Sequence, residues 1–349
     1  MTEKLIYWLE ELGVEDNDLV GKKCANLGEL TKAGVRVPPG FALAVQAYER
    51  FLATTGAREE MQRFLETFKA DPNDPKDLAK FEKASEVLRE IVDSKEMPSD
   101  MADIISAHYD KLCQRTGISD VPVAVRSAGP VSRPGQYETY LWVIGQKDLM
   151  KKIIRVWSST FNHRSMVYRA QNGLPMEFDP IGCAVIQMVD AKVSGVMFTL
   201  HPANGDVSKI VIEANWGLGE SVVSGRLSPD FYVVDKQTLN IVEKRVSDKT
   251  YEYLLDPATG ATDFFEVPQE RRNIPCLTDE ELVELAKLGL FVEKHYGKPQ
   301  DTEWTISKDL PFPQNIFMVQ SRPVTAKMSK KKTATDTILD MMMSRLYQL

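Results

Sequence analysis

Two short segments near the C-terminal end of the chain carry ionic and amide side chains at alternate positions. The first places Asp301 and Glu303 two residues apart, and the second does the same with Gln320 and Arg322. Side chains alternate across a β-strand, so each pair falls on one face of its strand. The intervening residues 305–316 contain Pro and Asn, which suit a loop between adjacent antiparallel strands. We therefore expect two carboxylates, an amide and a guanidinium on one surface.

This set of side chains has the chemistry that a nucleoside triphosphate requires. Carboxylates hold Mg²⁺ while the ion bridges phosphate oxygens, and a planar guanidinium clamps the same oxygens. A surface hairpin with ordinary ion pairs would have the same pattern. Both interpretations stay open on these residues alone, so other segments must decide between them.

A second candidate anion site lies near the N-terminus, in residues 18–40. The apolar spacing predicts a short helix over about 23–32, closed by Gly34 and followed by a strand. Lys22 and Lys23 then stand at the start of this helix, where cations oppose the helix dipole. A bound anion that also meets the free N–H groups would explain them, and solvated lysines are the alternative.

A third candidate follows a short apolar strand that ends at Arg126. The next residues, Ser127 to Gly135, are mostly small and include Arg133. Such a loop can wrap its backbone N–H groups around phosphate, and a plain long turn is the alternative. The sequence contains no Walker G-x-x-x-x-G-K-[ST] pattern and no G-x-G-x-x-G after a strand.

The 349 residues, of which 43% are apolar, can form a large core and suggest two or three domains or subdomains. Residues 45–118 have helical patterning, and residues 147–173 predict one amphipathic helix. A capping box at Thr278 predicts a further helix up to Gly297. Strand patterns dominate between these helices, over 181–189, 195–199, 209–214, 230–235 and 240–247. The segment 327–349 combines a Lys-rich linker with a short Met-rich helix that could dock on a partner, or it is a frayed tail.

Charge and composition argue against several classes of protein. The net charge is −7, from 43 basic and 50 acidic residues, which disfavours a nucleic-acid-binding surface. No stretch approaches the roughly 18 apolar residues of a membrane span. The four cysteines are far apart and include no C-x-x-C pair. We therefore expect reduced thiols in a cytoplasmic protein that binds neither nucleic acid nor membrane.

Seven short segments resemble, in order and spacing, the ATP-binding domain of the phosphoenolpyruvate synthase and pyruvate phosphate dikinase family. In chain order they read VGKKCANLGE from Val20, VPPGF, VAVRS, SGVMFT, GLGE, PQDTEW and QSRP from Gln320. The resemblance extends over residues 1 to about 326. It implies an α/β (α+β) chain with the ATP-grasp fold. An N-terminal subdomain (1–180) would contain the helical block as an insertion, a C-terminal subdomain would cover 181–326, and ATP would lie in the cleft between them.

The same resemblance implies which residues contact the nucleotide. On the phosphates it implies Lys23 and Arg126, with Ser127 and Gly129 in the adjoining loop, and Gln320 and Arg322 beside the β and γ phosphates. Near Mg²⁺ it implies Asp301, Glu303 and Gln320. The hinge beside the adenine is implied to be Gln187, Met188 and Val189. Lys23, Arg126, Gln320 and Arg322 are expected to carry the catalysis.

Full-length members of that family continue into a swivelling domain with a phosphorylatable histidine and then a pyruvate-binding barrel, and this chain stops before both. None of the four histidines lies in a Gly-rich Thr-Cys-His context. The loop after Arg126 is short, closer to the dikinase form. The resemblance is therefore nearest to the free-standing ATP-binding subunit of phenylphosphate synthase. It implies a partner subunit that carries the histidine and the acceptor site.

This interpretation implies a dikinase-type phosphotransferase that is active only with its partner. Mg·ATP would give its β,γ-diphosphate to the histidine, AMP and Pi would be released, and the remaining phosphoryl group would pass to phenol. Two alternatives stay open. One is a subunit of a split phosphoenolpyruvate synthase or an antibiotic phosphotransferase, which shares the first half-reaction. The other is a non-catalytic ATP-binding regulatory subunit, which the intact set of expected phosphate and Mg²⁺ residues argues against.

Overall fold

The computed structural model describes residues 4–131, 137–223 and 227–324. Within these ranges, residues 4–28 and 39–188 form one unit, and residues 29–38 and 189–324 form the other. The predicted subdomain bounds, 1–180 and 181–326, stay predictions. The second half of the predicted phosphate loop, Ser132 to Gln136, and the predicted linker and helix over 327–349 lie outside the described residues.

A five-stranded antiparallel sheet organises the first unit. Its strands are β1 (Ile6–Trp8), β2 (Gly40–Leu43), β3 (Val123–Ala128), β4 (Thr139–Val143) and β5 (Gly182–Gln187). They lie in the order β1-β2-β5-β3-β4. The central strands β2, β3 and β5 are almost wholly buried. Their short, continuous apolar runs are typical of strands covered on both faces.

Helices cover one face of this sheet. The helices that begin in this unit are α1 (Asn17–Val20), α2 (Lys22–Lys32), α3 (Val45–Thr54), α4 (Ala57–Thr67), α5 (Leu78–Asp93), α6 (Ser99–Thr116), α7 (Gln146–Ser158) and α8 (His163–Gln171). Leu43, Val125 and Val185 of the sheet share one apolar core with Tyr48 of α3 and Trp157 of α7. The helical patterning predicted over 45–118 is confirmed, because α3 to α6 occupy that segment.

The single helix predicted over 147–173 is wrong, because the chain forms two helices there. Asn162 separates α7 from α8 with an extended backbone, φ −62° and ψ 150°. Its side-chain oxygen accepts a hydrogen bond from the Ser165 amide at 3.0 Å. Asn is a strong N-cap residue because this bond satisfies an otherwise unpaired helix amide. Local capping therefore overrides the continuous apolar spacing.

Antiparallel strands also dominate the second unit. They are β6 (Ala191–Phe198), β7 (Lys209–Trp216), β8 (Asp230–Asp235), β9 (Ile241–Arg245), β10 (Tyr251–Leu255), β11 (Thr262–Glu266), β12 (Gln300–Ser307) and β13 (Ile316–Pro323). Six form one sheet in the order β13-β12-β6-β7-β8-β9, and β10 pairs with β11 separately. The five strands predicted between 181 and 247 are confirmed with shifts at their ends, the first as β5 of the first unit and the other four as β6 to β9. The β10–β11 hairpin was not predicted from the sequence.

One face of the six-stranded sheet packs against a long helix. The helices of this unit are α9 (Glu220–Val223), α10 (Gln269–Arg272) and α11 (Asp279–Tyr296). Met197, Ile212 and Trp304 of the sheet share a core with Leu282 and Leu285 of α11. None of the helices within the described ranges combines the length and the apolarity needed to cross a membrane.

The predicted capping box at the start of α11 is confirmed. The Thr278 amide donates to Glu281 Oε2 at 2.8 Å, and the Glu281 amide donates to Thr278 Oγ1 at 3.2 Å. Gly297 follows the helix with a left-handed backbone, φ +66°. Both ends of α11 are therefore set by local sequence, and its C-terminal end leads directly into β12.

Candidate functional site

The β12–β13 hairpin brings the four predicted side chains together. Asp301 lies opposite Arg322, and Glu303 lies opposite Gln320. Directly opposed residues in an antiparallel pair project from the same face. The expected surface of two carboxylates, an amide and a guanidinium is therefore confirmed. A β-bulge follows Glu303 and shifts the register of the apolar half of the hairpin.

Hydrogen bonds join the members of each pair. Gln320 Nε2 donates to Glu303 Oε1 at 2.8 Å. Arg322 Nε donates to Asp301 Oδ2 at 3.0 Å, and Arg322 Nη2 lies 2.9 Å from the same oxygen as an ion pair. Burial alone would lower the pKa of Arg322, but the charges of Asp301 and then Glu303 outweigh burial and raise this pKa above its ordinary value. The guanidinium therefore stays charged at a largely buried position.

An apolar stripe lies beside these four polar side chains, on the same face of the sheet. In the register with β6, Asp301 pairs with Phe198 and Glu303 pairs with Val196. Phe198 and Val196 belong to a small buried cluster that includes Val211 of the neighbouring strand β7. A polar set beside an apolar surface suits a ligand with one charged end and one apolar end.

A third carboxylate on this face was not singled out from the sequence. Glu213 of β7 pairs with Val196, whose other neighbour in the sheet is Glu303. The residues on either side, Ile212 and Ala214, belong to the core on the opposite face. Glu213 could have been recognised from the sequence, because it is the only acidic residue in the largely apolar strand β7. Side chains alternate between the two faces of a strand, so its position also indicates its face.

In the first unit, the start of α2 lies against the loop that follows β3. Gly21, just before the helix, has φ +82°, and a Cβ there would lie 1.8 Å from the carbonyl oxygen of Ala128. The Lys22 amide donates to the Gly129 carbonyl at 2.9 Å. The N–H groups at the helix start were predicted to meet an anion, and this stays a prediction for all but the first of them. For the first of them, the acceptor is a loop carbonyl.

The charges of Lys23 and Arg126 both influence the pKa of one buried group of this unit, the thiol of Cys24. Burial raises the pKa of Cys24 to about 12, and the positive charges of Lys23 and Arg126 act against that rise. Arg126 is held in β3 between Ala184 of β5 and Thr139 of β4. The two predicted phosphate-binding cations thus stand on neighbouring elements of one unit. Ser127, the next predicted residue, is buried.

We expect Gly21→Ala to destabilise the first unit by about 1–3 kcal/mol more than a glycine replacement that strains only the backbone. The added Cβ overlaps a backbone carbonyl, so α2 and the β3 loop would have to separate. Gly117→Ala is the matched control, because Gly117 has φ +70° with no atom within 4 Å of an added Cβ. Urea unfolding of both variants measures the difference. Equal losses of stability would show that the close approach at Gly21 is not a constraint.

The predicted adenine hinge follows β5. The Gln187 amide donates to the Pro39 carbonyl at 2.9 Å, and the Met188 amide donates to the Pro122 carbonyl at 2.8 Å. These two N–H groups are used within the protein. Gln187 and Met188 can therefore offer a base only their carbonyl oxygens and side chains, and Val189 is the first hinge residue beyond these bonds.

The side-chain oxygens of the hairpin can also be compared with the ligands that a metal ion requires. Among the residues that the structure describes, no cluster of three or more His, Cys, Asp or Glu side chains could hold a metal by itself. Mg²⁺ does not require such a cage, because it is usually held by one or two carboxylates together with substrate phosphates. The oxygens of Glu303 and Gln320 are of the kind that this hard cation prefers.

A known family matches the chain along most of its length. The model of the family described as "Pyruvate phosphate dikinase, AMP/ATP-binding domain" covers residues 17–343. The chain belongs to this family. The resemblance stated from the seven motifs is thereby confirmed, and so is the α/β class of the ATP-grasp fold, since helices and sheets are mixed in both units.

Relatives in this family are much longer proteins. A probable phosphoenolpyruvate synthase of Staphylothermus marinus is 38% identical over 95% of this chain and 42% of its own length. A probable phosphoenolpyruvate synthase of Methanothermobacter thermautotrophicus is 40% identical over 92% of this chain and 46% of its own length. The phosphoenolpyruvate synthase of Pyrococcus furiosus is 37% identical over 93% of this chain and 44% of its own length. The chain thus spans less than half the length of these relatives.

Proposed function

We propose that this chain binds Mg·ATP and transfers its β,γ-diphosphate to a histidine on another domain or a partner subunit. The proposal is carried by the β12–β13 register, which joins Arg322 to Asp301 and Gln320 to Glu303 in a chain of an AMP/ATP-binding family. Phosphoryl transfer needs little covalent help from the protein. Positioning and charge neutralisation, which these side chains supply, are its main requirements.

In this proposal, the residues that the family resemblance implies on the phosphates act through charge and hydrogen bonding. Lys23 and Arg126 contribute positive charge, and Ser127 and Gly129 contribute the start of a small-residue loop. Arg322 contributes a planar guanidinium and Gln320 contributes a carboxamide. Cations and polar donors of this kind stabilise the negative charge that a triphosphate carries and redistributes during transfer.

Magnesium is part of the proposal because the donors fit it. Glu303 and Gln320 would hold the ion, and Asp301 is the third residue predicted near it. An ion held there would supply positive charge against the phosphate oxygens. For the adenine ring, the carbonyls of Gln187 and Met188 can accept from the exocyclic amine, and Val189 continues the hinge.

The proposed chemistry balances as three displacements. A histidine ring nitrogen attacks the β-phosphorus, the bond between the β-phosphorus and the α,β-bridging oxygen breaks, and AMP leaves. Water then takes the terminal phosphoryl group as Pi, and the remaining phosphohistidine phosphorylates the acceptor. In an ordinary kinase the attack would fall on the γ-phosphorus and ADP would leave. The nucleotide product therefore distinguishes the two mechanisms.

The acceptor belongs to the partner, and the names of the relatives favour pyruvate. They are phosphoenolpyruvate synthases. We therefore favour pyruvate as the acceptor and a split phosphoenolpyruvate synthase as the type of enzyme. Phenol, the acceptor expected from the resemblance to phenylphosphate synthase, is the second candidate. The predicted cytoplasmic location suits either.

The test of this function uses ATP labelled in turn at the β and γ positions. With a histidine-bearing partner protein and either pyruvate or phenol, we expect one AMP and one Pi per acceptor phosphorylated, and acceptor label from the β position only. The chain alone should bind ATP and show no stable phosphohistidine. Accumulation of ADP, or acceptor label from the γ position, would refute the dikinase mechanism. Binding of ATP without any transfer to partner or acceptor would favour a regulatory role.

A further inference from the structure

We infer that Asp301 is a positioning residue for Arg322 and not a ligand of magnesium. This inference rests on the proposed function, because it concerns how the same site holds Mg·ATP. It departs from the expectation drawn from family resemblance, which placed Asp301 with Glu303 near the ion. The two carboxylates occupy equivalent places in the hairpin, but the structure gives them different partners.

The contacts of Asp301 are those of an arginine clamp. One oxygen, Oδ2, accepts a hydrogen bond from Nε of Arg322 at 3.0 Å and lies 2.9 Å from Nη2 of the same guanidinium. One edge of the planar guanidinium is thereby fixed against the carboxylate. A guanidinium has five N–H donors in a rigid fork, so fixing one edge aims the other, at Nη1, away from Asp301. Asp301 thus determines where Arg322 can meet a phosphate.

Glu303 has a different kind of partner. The Gln320 carboxamide, which donates to Glu303 Oε1 at 2.8 Å, is neutral. The charge of Asp301 is instead matched by a guanidinium at hydrogen-bond distance. A divalent cation on Asp301 would stand close to the positive charge of Arg322, which disfavours it. Asp301 is therefore poorly suited to the ion, and we assign the ion to the other carboxylate, Glu303.

Burial strengthens this division of roles. The side chains of Asp301 and Arg322 are 13% and 21% exposed. The neighbour of Asp301 on β6 is Phe198, a residue of the buried apolar cluster. A partly desolvated ion pair that also has a hydrogen bond keeps a long side chain in one conformation, whereas an exposed pair would not.

A double-mutant cycle tests the inference through ATP binding measured by calorimetry. We expect Asp301→Ala and Arg322→Ala each to weaken ATP binding in excess Mg²⁺ by about tenfold, and the double variant to bind no more than about twofold more weakly than Arg322→Ala. Losses of residues that act as a unit are not additive. Asp301→Asn, which keeps an acceptor for the guanidinium, should bind better than Asp301→Ala and covers the case in which the alanine variant does not fold.

The second measurement is the Mg²⁺ concentration that gives half-maximal ATP binding. We expect it to stay within about twofold of the wild-type value in Asp301→Asn and to rise by at least about tenfold in the comparison variant Glu303→Gln. A rise in Asp301→Asn as large as that in Glu303→Gln would overturn the inference. Additive losses in the cycle would also overturn it. A wild-type chain that binds no ATP would instead refute the proposed function.

Discussion

Replacing Asp230 with alanine is expected to lower the free energy of unfolding of the second unit by about 3–5 kcal/mol. Asp230 and Lys249 are fully buried, and Lys249 Nζ donates to Asp230 Oδ1 at 2.7 Å. The same oxygen accepts from the Ser247 amide, and the other accepts from Tyr232 OH and the Cys276 amide. Alanine would leave a buried ammonium and three other donors without this acceptor. Such groups pay their full cost of desolvation.

Calorimetric thermal unfolding measures this effect, and we expect Tm to fall by roughly 10 °C. Lys249→Met should cost less than Asp230→Ala, because Asp230 keeps three neutral donors when the buried ammonium is removed. The control is Glu284→Ala, which removes an exposed ion pair with Lys287 on α11. It should change stability by less than about 1 kcal/mol. An Asp230→Ala variant as stable as this control would contradict the role assigned to the buried pair.

Arg322→Ala is expected to lower kcat/KM for phosphoryl transfer by about 10²- to 10³-fold, a loss of roughly 2–4 kcal/mol of transition-state stabilisation. The guanidinium is the planar, permanently charged donor of the hairpin, and its removal would expose phosphate charge while leaving Asp301 unmatched. Arg322→Lys should restore only part of the activity, because an ammonium cannot reproduce the two-pronged contact. The measurement is steady-state transfer with the histidine-bearing partner supplied.

Arg50→Ala is the matched control for this prediction. It also removes an arginine paired with an aspartate, Asp100, but this pair lies between helices α3 and α6 with both side chains well exposed. We expect kcat/KM to be nearly unchanged. If Arg322→Ala kept more than about a tenth of wild-type kcat/KM, a loss below about 1.4 kcal/mol, the proposed contact of Arg322 with the phosphates would be wrong.

The polar face of the β12–β13 hairpin could be predicted only in part from the sequence. Alternation predicted that Asp301 and Glu303 share a face, as do Gln320 and Arg322, because side-chain direction along a strand is a local property of the backbone. Which residue lies opposite which depends on register. A bulge after Glu303 shifts that register within the hairpin, and nothing in the local pattern of either strand predicts it.

Other features were missed for related reasons. The break between α7 and α8 at Asn162 was not predicted, because the helical spacing of apolar residues continues through this position. Asn is nevertheless a common N-cap residue, and its presence could have indicated the break. The pairing of Asp230 with Lys249 joins residues from separate segments, so no periodicity connects them. Glu213 lay in a strand that was correctly predicted, but only the register with β6 places it on the same face as Glu303.

The sequence by itself determined the family, the α/β class, the position of most helices and strands, and the side chains on each face of the hairpin. These depend on motif order, capping and periodicity, which short stretches of chain contain in full. Only the tertiary structure decided that Asp301 pairs with Arg322, that the Lys22 amide bonds to Gly129, and that hinge amides are already used. Each of these depends on contacts between segments distant in sequence. Backbone donors and charged groups bond to whichever partners folding brings within reach, and local sequence does not specify those partners.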